Sequence, residues 1–317
     1  MQKIFNFLSK HLAFYVLVIT VVFFGFTTDG FLTMGNFENV ISNTIYMGIL
    51  SMGMFSVMLV KGIDISMGAI VYFSGIILSE MLSAGHSLIL ASIATILVGT
   101  LLGSINGFFI TVIGVTPFLA TLFNMIIFRG AGKWITKSKG SDYPDAVVSL
   151  SSLKIFGVIP FWAIMITILF LLLYIFFNKT ITGRLFYTVG FSEEIAKKSG
   201  INTKLVTFRA YCLAGALAGM GSIVLASQIG KHYAGVGELH ELEAITAAVL
   251  GGVSLFGGIG TLGGALLGAL TLQTINTGLV FLKIDLYVQP MITALILFFA
   301  ITISSSDKFK DNSIKIK

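Results

Sequence analysis

The chain has 317 residues, of which 56% are hydrophobic and only 11% are charged. Soluble domains carry about 25% charged residues, so this composition excludes an ordinary soluble protein and indicates an integral membrane protein. The single cysteine, Cys212, excludes an intrachain disulfide and a multi-cysteine metal site. The net charge of +6 does not indicate a nucleic-acid partner, because the basic residues follow a pattern that reports membrane topology.

Apolar stretches recur along the chain at about the length that a membrane helix needs, which is roughly 20 residues. They lie near 12–28, 38–60, 65–84, 87–110, 116–136, 156–177, 205–229, 242–257, 261–281 and 288–306, the eighth being short. The sequence therefore predicts an all-α polytopic membrane protein with about ten transmembrane helices. No small-x-small cleavage site precedes Asp29, so we expect the first stretch to be a retained anchor.

The distribution of charge predicts which side of the membrane each segment faces. With the N-terminus inside, the cytoplasmic segments hold 13 of the 20 basic residues and 5 of the 14 acidic ones. The positive-inside rule favours this orientation, which places both termini in the cytoplasm. The segment 129–154 is the exception, because its five basic residues would face outward.

Two glycine-flanked segments resemble each other. Residues 62–68 read GIDISMG and residues 252–258 read GVSLFGG, with glycines six apart and apolar residues at the second and fourth positions. We interpret them as marks of two five-helix halves, 1–150 and 151–317, within a single transmembrane domain. Five spans per half would invert one half relative to the other, as in many transporters that open alternately to each side. Chance similarity between apolar, glycine-rich segments is the alternative.

The polar segment 178–204 contains the pattern of a complete short helix. It has an N-cap, first-turn carboxylates, last-turn ammonium groups and a glycine that can stop the helix in a left-handed conformation: Ser192, Glu193 and Glu194, Lys197 and Lys198, and Gly200. On the side where positive charge collects, such a helix predicts a contact with a cytoplasmic partner.

Polar residues within the apolar segments are candidates for a transport path. Asp64 is the one acidic residue inside a glycine-flanked apolar segment; it either lies beside the path or caps the third span through the N–H groups after Ser66. The amides Asn106, Gln273 and Asn276 either join helices or line a pore. The candidate path residues are Asp64, Ser66, Asn106, Ser254 and Asn276.

Motifs of enzymes and of nucleotide binding are not found in the sequence. No G-x-x-x-x-G-K-[ST] loop is present, so the chain binds no ATP by that route. Residues 258–263 match G-x-G-x-x-G, but they join two membrane spans instead of a strand and a helix. No nucleophile–base set and no metal-ligand spacing stands out. We therefore expect a protein that is not an enzyme, with no cofactor and no metal.

Three motifs in order resemble one family, the membrane permease subunits of bacterial ABC importers for ribose and related sugars. Residues 61–68 are similar to the family's GGIDLSVG, with Lys61 for the first glycine. Residues 190–202 are similar to GGNPEAARLSGIN, with Ile195 for an alanine, and 241–252 are similar to ELDAIAAVVIGG, with Glu243 for the aspartate. The resemblance covers nearly the whole chain.

The resemblance implies a subunit without its own ATPase site, in the bacterial cytoplasmic (inner) membrane. The implied partners are a cytoplasmic ATP-binding subunit, an extracytoplasmic sugar-binding protein, a second permease copy or paralogue, and membrane lipid, with no nucleic acid. Residues expected to dock on the ATP-binding subunit are Ser192, Glu193, Glu194, Ala196, Lys197, Gly200 and Ile201. The implied substrate is a ribose-type sugar (ribose, xylose or rhamnose) or autoinducer-2; the strings 132–135 and 226–230 look closest to the autoinducer-2 permeases.

A stand-alone secondary carrier or channel for small polar solutes is the alternative from another class. Ion-coupled carriers usually keep carboxylates or histidines within the membrane, and only Asp64 qualifies here.

Overall fold

The computed structural model describes residues 12–157, 159–285 and 287–313. The helices are α1 (Leu12–Thr27), α2 (Met34–Leu59), α3 (Met67–Ser83), α4 (Leu88–Phe108, continued by a π-helical turn at Phe109–Ile113), α5 (Pro117–Thr136), α6 (Asp145–Ser152), α7 (Phe161–Lys179), α8 (Ile181–Phe191), α9 (Glu193–Lys198), α10 (Thr203–Ile229), α11 (His240–Leu250), α12 (Leu262–Phe281) and α13 (Gln289–Ser313). The strands have two residues each: β1 (Ser141–Asp142), β2 (Lys154–Ile155), β3 (Ile159–Pro160) and β4 (Lys231–His232).

Each of the ten apolar windows contains a helix, and the prediction of an all-α polytopic fold is confirmed. Five helices are long and apolar enough to cross a membrane by length and composition, namely α2, α4, α7, α10 and α12. Shorter apolar helical stretches are Ala13–Thr27 in α1, α3, and Gln289–Thr302 in α13. The eighth window holds α11, which has 11 residues and a length of about 16 Å. Alone it is too short for a hydrocarbon core of about 30 Å.

Side-chain oxygens begin many of these helices. An N-cap side chain accepts a hydrogen bond from a first-turn N–H group in six helices, at Thr33, Ser87, Thr180, Ser192, Asn202 and Thr261. Such caps satisfy backbone donors that the helix itself leaves unpaired. The positions of these Ser, Thr and Asn residues therefore set where apolar stretches become helices.

Helix α2 lies at the centre of the bundle. In its most apolar window 83% of residues are buried, against 28% for α4 and 17% for α7. The faces of α4 and α7 are thus apolar and open, as expected for helices that meet lipid or another subunit. Helices α10, α11 and α12 surround α2 and complete the core.

Glycines bring α4 and α10 into backbone contact. A Cβ atom at Gly99 would collide with the carbonyl oxygen of Gly215, and one at Gly103 would collide with that of Tyr211. Small residues four apart permit this close approach between membrane helices. The glycine spacing on these two helices therefore has a packing role.

The two glycine-flanked segments meet in space. The N–H group of Gly258 donates to the carbonyl of Leu59 over 2.9 Å, and Gly257 approaches Lys61. The helices that follow, α3 and α12, therefore begin at the same end of the bundle. This motif pair is a parallel pair and does not support the inverted arrangement, so the division into inverted halves 1–150 and 151–317 stays a prediction.

At the other end of the bundle, short antiparallel strand pairs join the loops. Ser141 pairs with His232 and Asp142 with Lys231, while β2 pairs with β3. The β1–β4 pair fastens the loop after α5 to the chain that follows α10, and the β2–β3 pair closes a local turn before α7. The predicted cytoplasmic termini lie largely outside the described residues.

Candidate functional site

The short polar helix predicted within 178–204 is present as α9, at the end of the bundle where α10 begins. The Ser192 hydroxyl accepts from the N–H of Ile195 at 3.3 Å, and Gly200 stops the helix with φ of +79°. Two pairs four residues apart lie on its surface, Glu193–Lys197 at 3.9 Å and Glu194–Lys198 at 2.7 Å. The local interpretation of the capping and stop residues is confirmed.

One face of α9 is anchored and the other is free. Ala196 is fully buried, its carbonyl accepts from the N–H of Ile201 at 3.0 Å, and the Thr203 hydroxyl donates to Glu193 at 3.2 Å. By contrast, the side chains of Phe191 and Ile195 are 74% and 58% exposed. Exposed apolar side chains beside a charged helix form a surface suited to a protein partner.

A close backbone contact connects this polar segment to the glycine-flanked loops. A Cβ atom at Gly190, in the last turn of α8, would collide with the carbonyl of Leu59 and lies against Gly258. Since Leu59 ends α2 and Gly258 belongs to the loop before α12, a push on α8 and α9 acts directly on both helices. The interior is densely packed and transmits such displacements.

Asp64, Ser66 and Asn106 come together in one fully buried hydrogen-bond network. The Asp64 carboxylate accepts from the N–H and the hydroxyl of Ser66, at 2.9 and 2.6 Å. The Asn106 amide donates to the Ser66 hydroxyl at 2.7 Å and reaches both Asp64 oxygens at 3.4 Å. The carboxylate thus fastens the turn that starts α3 to helix α4.

Helix α5 closes the same network. The Asn124 amide donates to the Asn106 oxygen at 2.7 Å, and the Thr121 hydroxyl accepts from the N–H of Ile65 at 3.2 Å. Asn106 therefore connects α4 to α5 and to the turn before α3. Of the two roles that the sequence left open for this amide, the structure shows the one that joins helices. The Asp64 carboxylate accepts from Ser66 itself and not from the N–H groups after Ser66, and the described start of α3 has no side-chain cap, so the predicted capping contact is not formed. A place for this network in the transport path stays a prediction.

Ser254 lies in a different place. Its hydroxyl accepts from the N–H of Phe256 at 3.2 Å, and its own N–H donates to the carbonyl of Ile259 at 3.0 Å. These bonds close the turn between α11 and α12. Ser254 matches Asp64 in its motif, but no hydrogen bond connects the two in the described part of the chain.

Asn276 lines a cavity of about 510 Å³. The other lining residues are Asn36, Asn39, Ser42, Asn43, Ser151, Gln228, Gln273, Thr277, Val280, Phe281 and Gln289. The sequence interpretation singled out Asn276 and Gln273 but missed the amides of α2, Gln228 and Gln289. A signal was available, because Asn36, Asn39 and Asn43 recur at i, i+3 and i+7, the spacing of one helix face.

The cavity and α9 lie at opposite ends of the bundle. Helix α10 begins at Thr203, just after α9, and Gln228 in its last turn lines the cavity. Twenty-five residues of helix separate these two positions, a distance of about 37 Å. The Gln228 amide also donates to the carbonyl of Ser42 at 2.7 Å, which ties α10 to the start of α2 at the rim.

Several helices long and apolar enough to cross a membrane, a capped charged helix at one end of the bundle and a neutral cavity at the other are typical of a membrane transport protein. The family model described as "Branched-chain amino acid transport system / permease component" matches residues 36–303. The chain belongs to this permease family. It is accordingly a multi-pass inner-membrane permease and not an enzyme.

Individual relatives have the same kind of name. The chain is 30% identical to the ribose import permease protein RbsC of Haemophilus influenzae over 305 residues, 94% of each chain. It is 34% identical to the autoinducer 2 import system permease protein LsrC of Escherichia coli (strain SMS-3-5 / SECEC) over 292 residues, 90% of this chain and 83% of the relative. An LsrC protein of Salmonella typhi is also 34% identical over 292 residues. No solved structure gives a significant match.

Proposed function

We propose that the chain is the permease subunit of an ATP-driven ABC importer that carries a ribose-type sugar or autoinducer-2 across the bacterial cytoplasmic membrane. The observation that carries the proposal is α9, a capped helix that exposes Ile195 and is preceded by exposed Phe191. The names of the relatives RbsC and LsrC support import of a sugar or of autoinducer-2. Energy then comes from a partner, because the sequence has no phosphate-binding loop of its own.

The cytoplasmic ATP-binding subunit would dock on α9 and the residues around it. Ser192, Gly200 and Ile201 shape the helix ends, Ala196 holds the helix against the bundle, and the charged groups Glu193, Glu194 and Lys197 face outward. Closure of two ATP-binding subunits would displace α9 together with α8. Through Gly190, this displacement reaches the end of α2 and the loop before α12. The cavity residues of these two helices lie farther along them, within 36–43 and 273–281.

The surfaces left on the bundle, at the cavity end and along its sides, indicate where the remaining partners would bind. An extracytoplasmic sugar-binding protein would deliver substrate at the cavity end, since α9 occupies the other. A second permease copy or paralogue and membrane lipid would cover the open apolar faces, such as those of α4 and α7. No nucleic acid is involved.

The candidate path residues divide between the two ends. Asn276 lies in the cavity, whereas Asp64, Ser66, Asn106 and Ser254 lie near the end that carries α9. We propose that Asn276 contacts the substrate. The four residues near α9 would instead stabilise the turns that move when the ATP-binding subunits close. The carrier alternative gains no support, because Asp64 is buried and both of its oxygens accept hydrogen bonds from the protein.

The deciding experiment measures uptake and ATPase activity of the reconstituted complex. The purified chain alone should hydrolyse no ATP, and uptake of labelled ribose or autoinducer-2 into proteoliposomes should require the cognate ATP-binding subunit. If uptake persists after every ATP-binding subunit is removed, the proposal is contradicted and the chain is a stand-alone carrier.

A further inference from the structure

Helices α2 and α12 run antiparallel, and one hydrogen bond sets their register. The Ser51 hydroxyl donates to the carbonyl of Ala265 at 2.9 Å. Counting eight residues toward the cavity from Ser51 on α2 and from Ala265 on α12 places Asn43 opposite Gln273. Four more bring Asn39 opposite Thr277. At 1.5 Å per residue, these pairs lie about 12 and 18 Å from the Ser51 contact.

Each helix therefore presents a polar stripe to the cavity. Asn36, Asn39 and Asn43 follow the i, i+3, i+7 spacing on α2, and Gln273 and Asn276 are three residues apart on α12. All five amides line the cavity. Facing amides on two membrane helices usually hydrogen-bond directly and hold the helices together.

These amides do not bond to each other. The side-chain oxygens of Asn36 and Asn276 are buried without a hydrogen-bond partner among the described residues. The Gln273 side chain, 8% exposed, likewise makes no side-chain hydrogen bond within that part of the chain. Asn36 is 5% exposed, and its amide nitrogen is held by the carbonyl of Phe31 at 2.7 Å. Since an unpaired buried amide is unfavourable, the geometry leaves acceptors that a ligand can satisfy.

The lining selects a chemical class. Every polar group in it is an amide or a hydroxyl, and no lining residue is charged. A zwitterionic amino acid would leave both of its charges without an opposite charge there, which is costly. Hydroxyl groups both donate and accept, as do amides, so a polyhydroxylated ligand can pair with several of them at once. The volume of about 510 Å³ falls in the usual range for small-molecule sites, about 300–1,000 Å³.

We propose that the facing amide stripes of α2 and α12 form a substrate-binding site within a single permease chain, specific for a neutral, polyhydroxylated solute. The proposal rests on the proposed function for the direction of transport. It assigns part of the substrate selectivity to the permease itself, with Gln273 and Asn276 as direct contacts. It also separates the ligand of this chain from the amino acids named in the family description.

Thiol labelling tests the site in the intact complex. In a Cys212→Ser background, the Asn276→Cys variant should react with a membrane-impermeant maleimide added from outside, and D-ribose should slow the reaction several-fold. L-leucine and D-gluconate, the latter carrying hydroxyls together with a carboxylate, should give no protection. The matched control is Thr274→Cys, whose position is 3% exposed and faces its own helix, and which should stay unlabelled.

The result is independent of energy coupling, so it distinguishes this proposal from the proposed function. Protection by D-ribose without ATP-dependent uptake would support the site and contradict the importer. Equal labelling with every solute, or protection by L-leucine alone, would overturn the site.

A second pair of variants measures the consequence for transport. The double variant Gln273→Leu with Asn276→Leu should lower sugar uptake at least several-fold while membrane insertion and binding to the ATP-binding subunit stay normal. Among the described residues, the Thr274 hydroxyl donates only to the carbonyl of Leu270 in its own helix, at 2.7 Å, so Thr274→Val should leave uptake unchanged. Normal uptake by the double variant would contradict the proposal.

Discussion

Asp64 and Asn276 show two different environments for a polar side chain in an apolar segment. Asp64 is surrounded by donors, with Ser66 and Asn106 on its oxygens, whereas the side-chain oxygen of Asn276 has no partner in the described region. A polar group within a membrane protein is expensive in either setting. The first setting meets that cost with internal hydrogen bonds, and the second leaves room for a ligand.

Replacement of Asp64 separates its role as a hydrogen-bond acceptor in the turn before α3 from its charge. Asp64→Ala removes the acceptor of the Ser66 N–H and hydroxyl, and orphaned buried donors cost about 1–3 kcal/mol each. We therefore expect a lower melting temperature in detergent and less protein in the membrane. Asp64→Asn keeps one acceptor oxygen and should be the milder variant.

The measurement compares the uptake of Asp64→Asn with that of the wild type, each divided by the amount of protein inserted in the membrane. If Asp64 serves only as a hydrogen-bond acceptor in this turn, Asp64→Asn keeps most of this specific uptake. A loss of uptake by Asp64→Asn at an unchanged protein level would instead show that the charge itself serves transport.

At the scale of elements, the sequence was most informative where structure is local. The N-cap Ser192, the stop at Gly200 and the ten apolar windows depend on neighbours within a few residues, and these predictions are confirmed. The amide stripe of α2 was missed because its meaning depends on α12, more than 200 residues away. Likewise, the contact between Leu59 and Gly258, which shows the glycine motifs to be a parallel pair, is not encoded in either motif alone.

The glycine contact between α4 and α10 should be intolerant of a single methyl group. In Gly103→Ala the new Cβ would collide with the carbonyl of Tyr211 and meet the backbone of Gly215 at 2.9 Å. Overpacking of this kind costs about 1–3 kcal/mol. Thermal unfolding in detergent should show a clear drop in melting temperature.

The matched control is Gly130→Ala in α5. A Cβ there meets nothing within 4 Å, and replacing glycine by alanine inside a helix stabilises it by about 0.5–1 kcal/mol. The melting temperature should therefore stay the same or rise. Equal losses in both variants would show that the close approach of α4 and α10 contributes nothing specific.

Helix α9 should be required for energy coupling but not for folding. Gly200 has φ of +79°, which proline cannot adopt, so Gly200→Pro distorts the end of the helix. Glu194→Arg reverses a charge that pairs with Lys198 at 2.7 Å and also opposes the helix dipole. We expect both variants to insert normally and to lose ATP-driven uptake together with binding of the ATP-binding subunit.

The control for the charge reversal is Asp142→Arg at the opposite end of the bundle. Asp142 is also exposed and pairs with a lysine, Lys231, at 3.8 Å. The Asp142→Arg variant should therefore transport sugar at the wild-type rate. Wild-type transport by Glu194→Arg and Gly200→Pro would show that α9 is not the coupling element.

At the scale of the whole molecule, the open question is which end of the bundle faces the cytoplasm. The distribution of basic residues predicts that α9 lies on the cytoplasmic side. The basic segment 129–154 is the one exception to the positive-inside rule in this orientation. The structure weakens that exception. The Arg129 guanidinium donates to the carbonyl of Val236 at 3.2 Å and lies over the Tyr72 ring. Lys154 pairs with Glu38 at 3.2 Å, so two of the five positive charges are engaged by the protein itself.

Cysteine accessibility in whole cells resolves the sidedness. In the Cys212→Ser background, Asp142→Cys should react with an impermeant maleimide added outside, because Asp142 is 80% exposed at the cavity end. Lys198→Cys, at an equally exposed position of 75% in α9, should react only after the membrane is permeabilised. The reverse pattern would place α9 outside the cell, where no ATP-binding subunit could reach it. It would thereby overturn the orientation derived from the positive-inside rule and, with it, the proposed coupling.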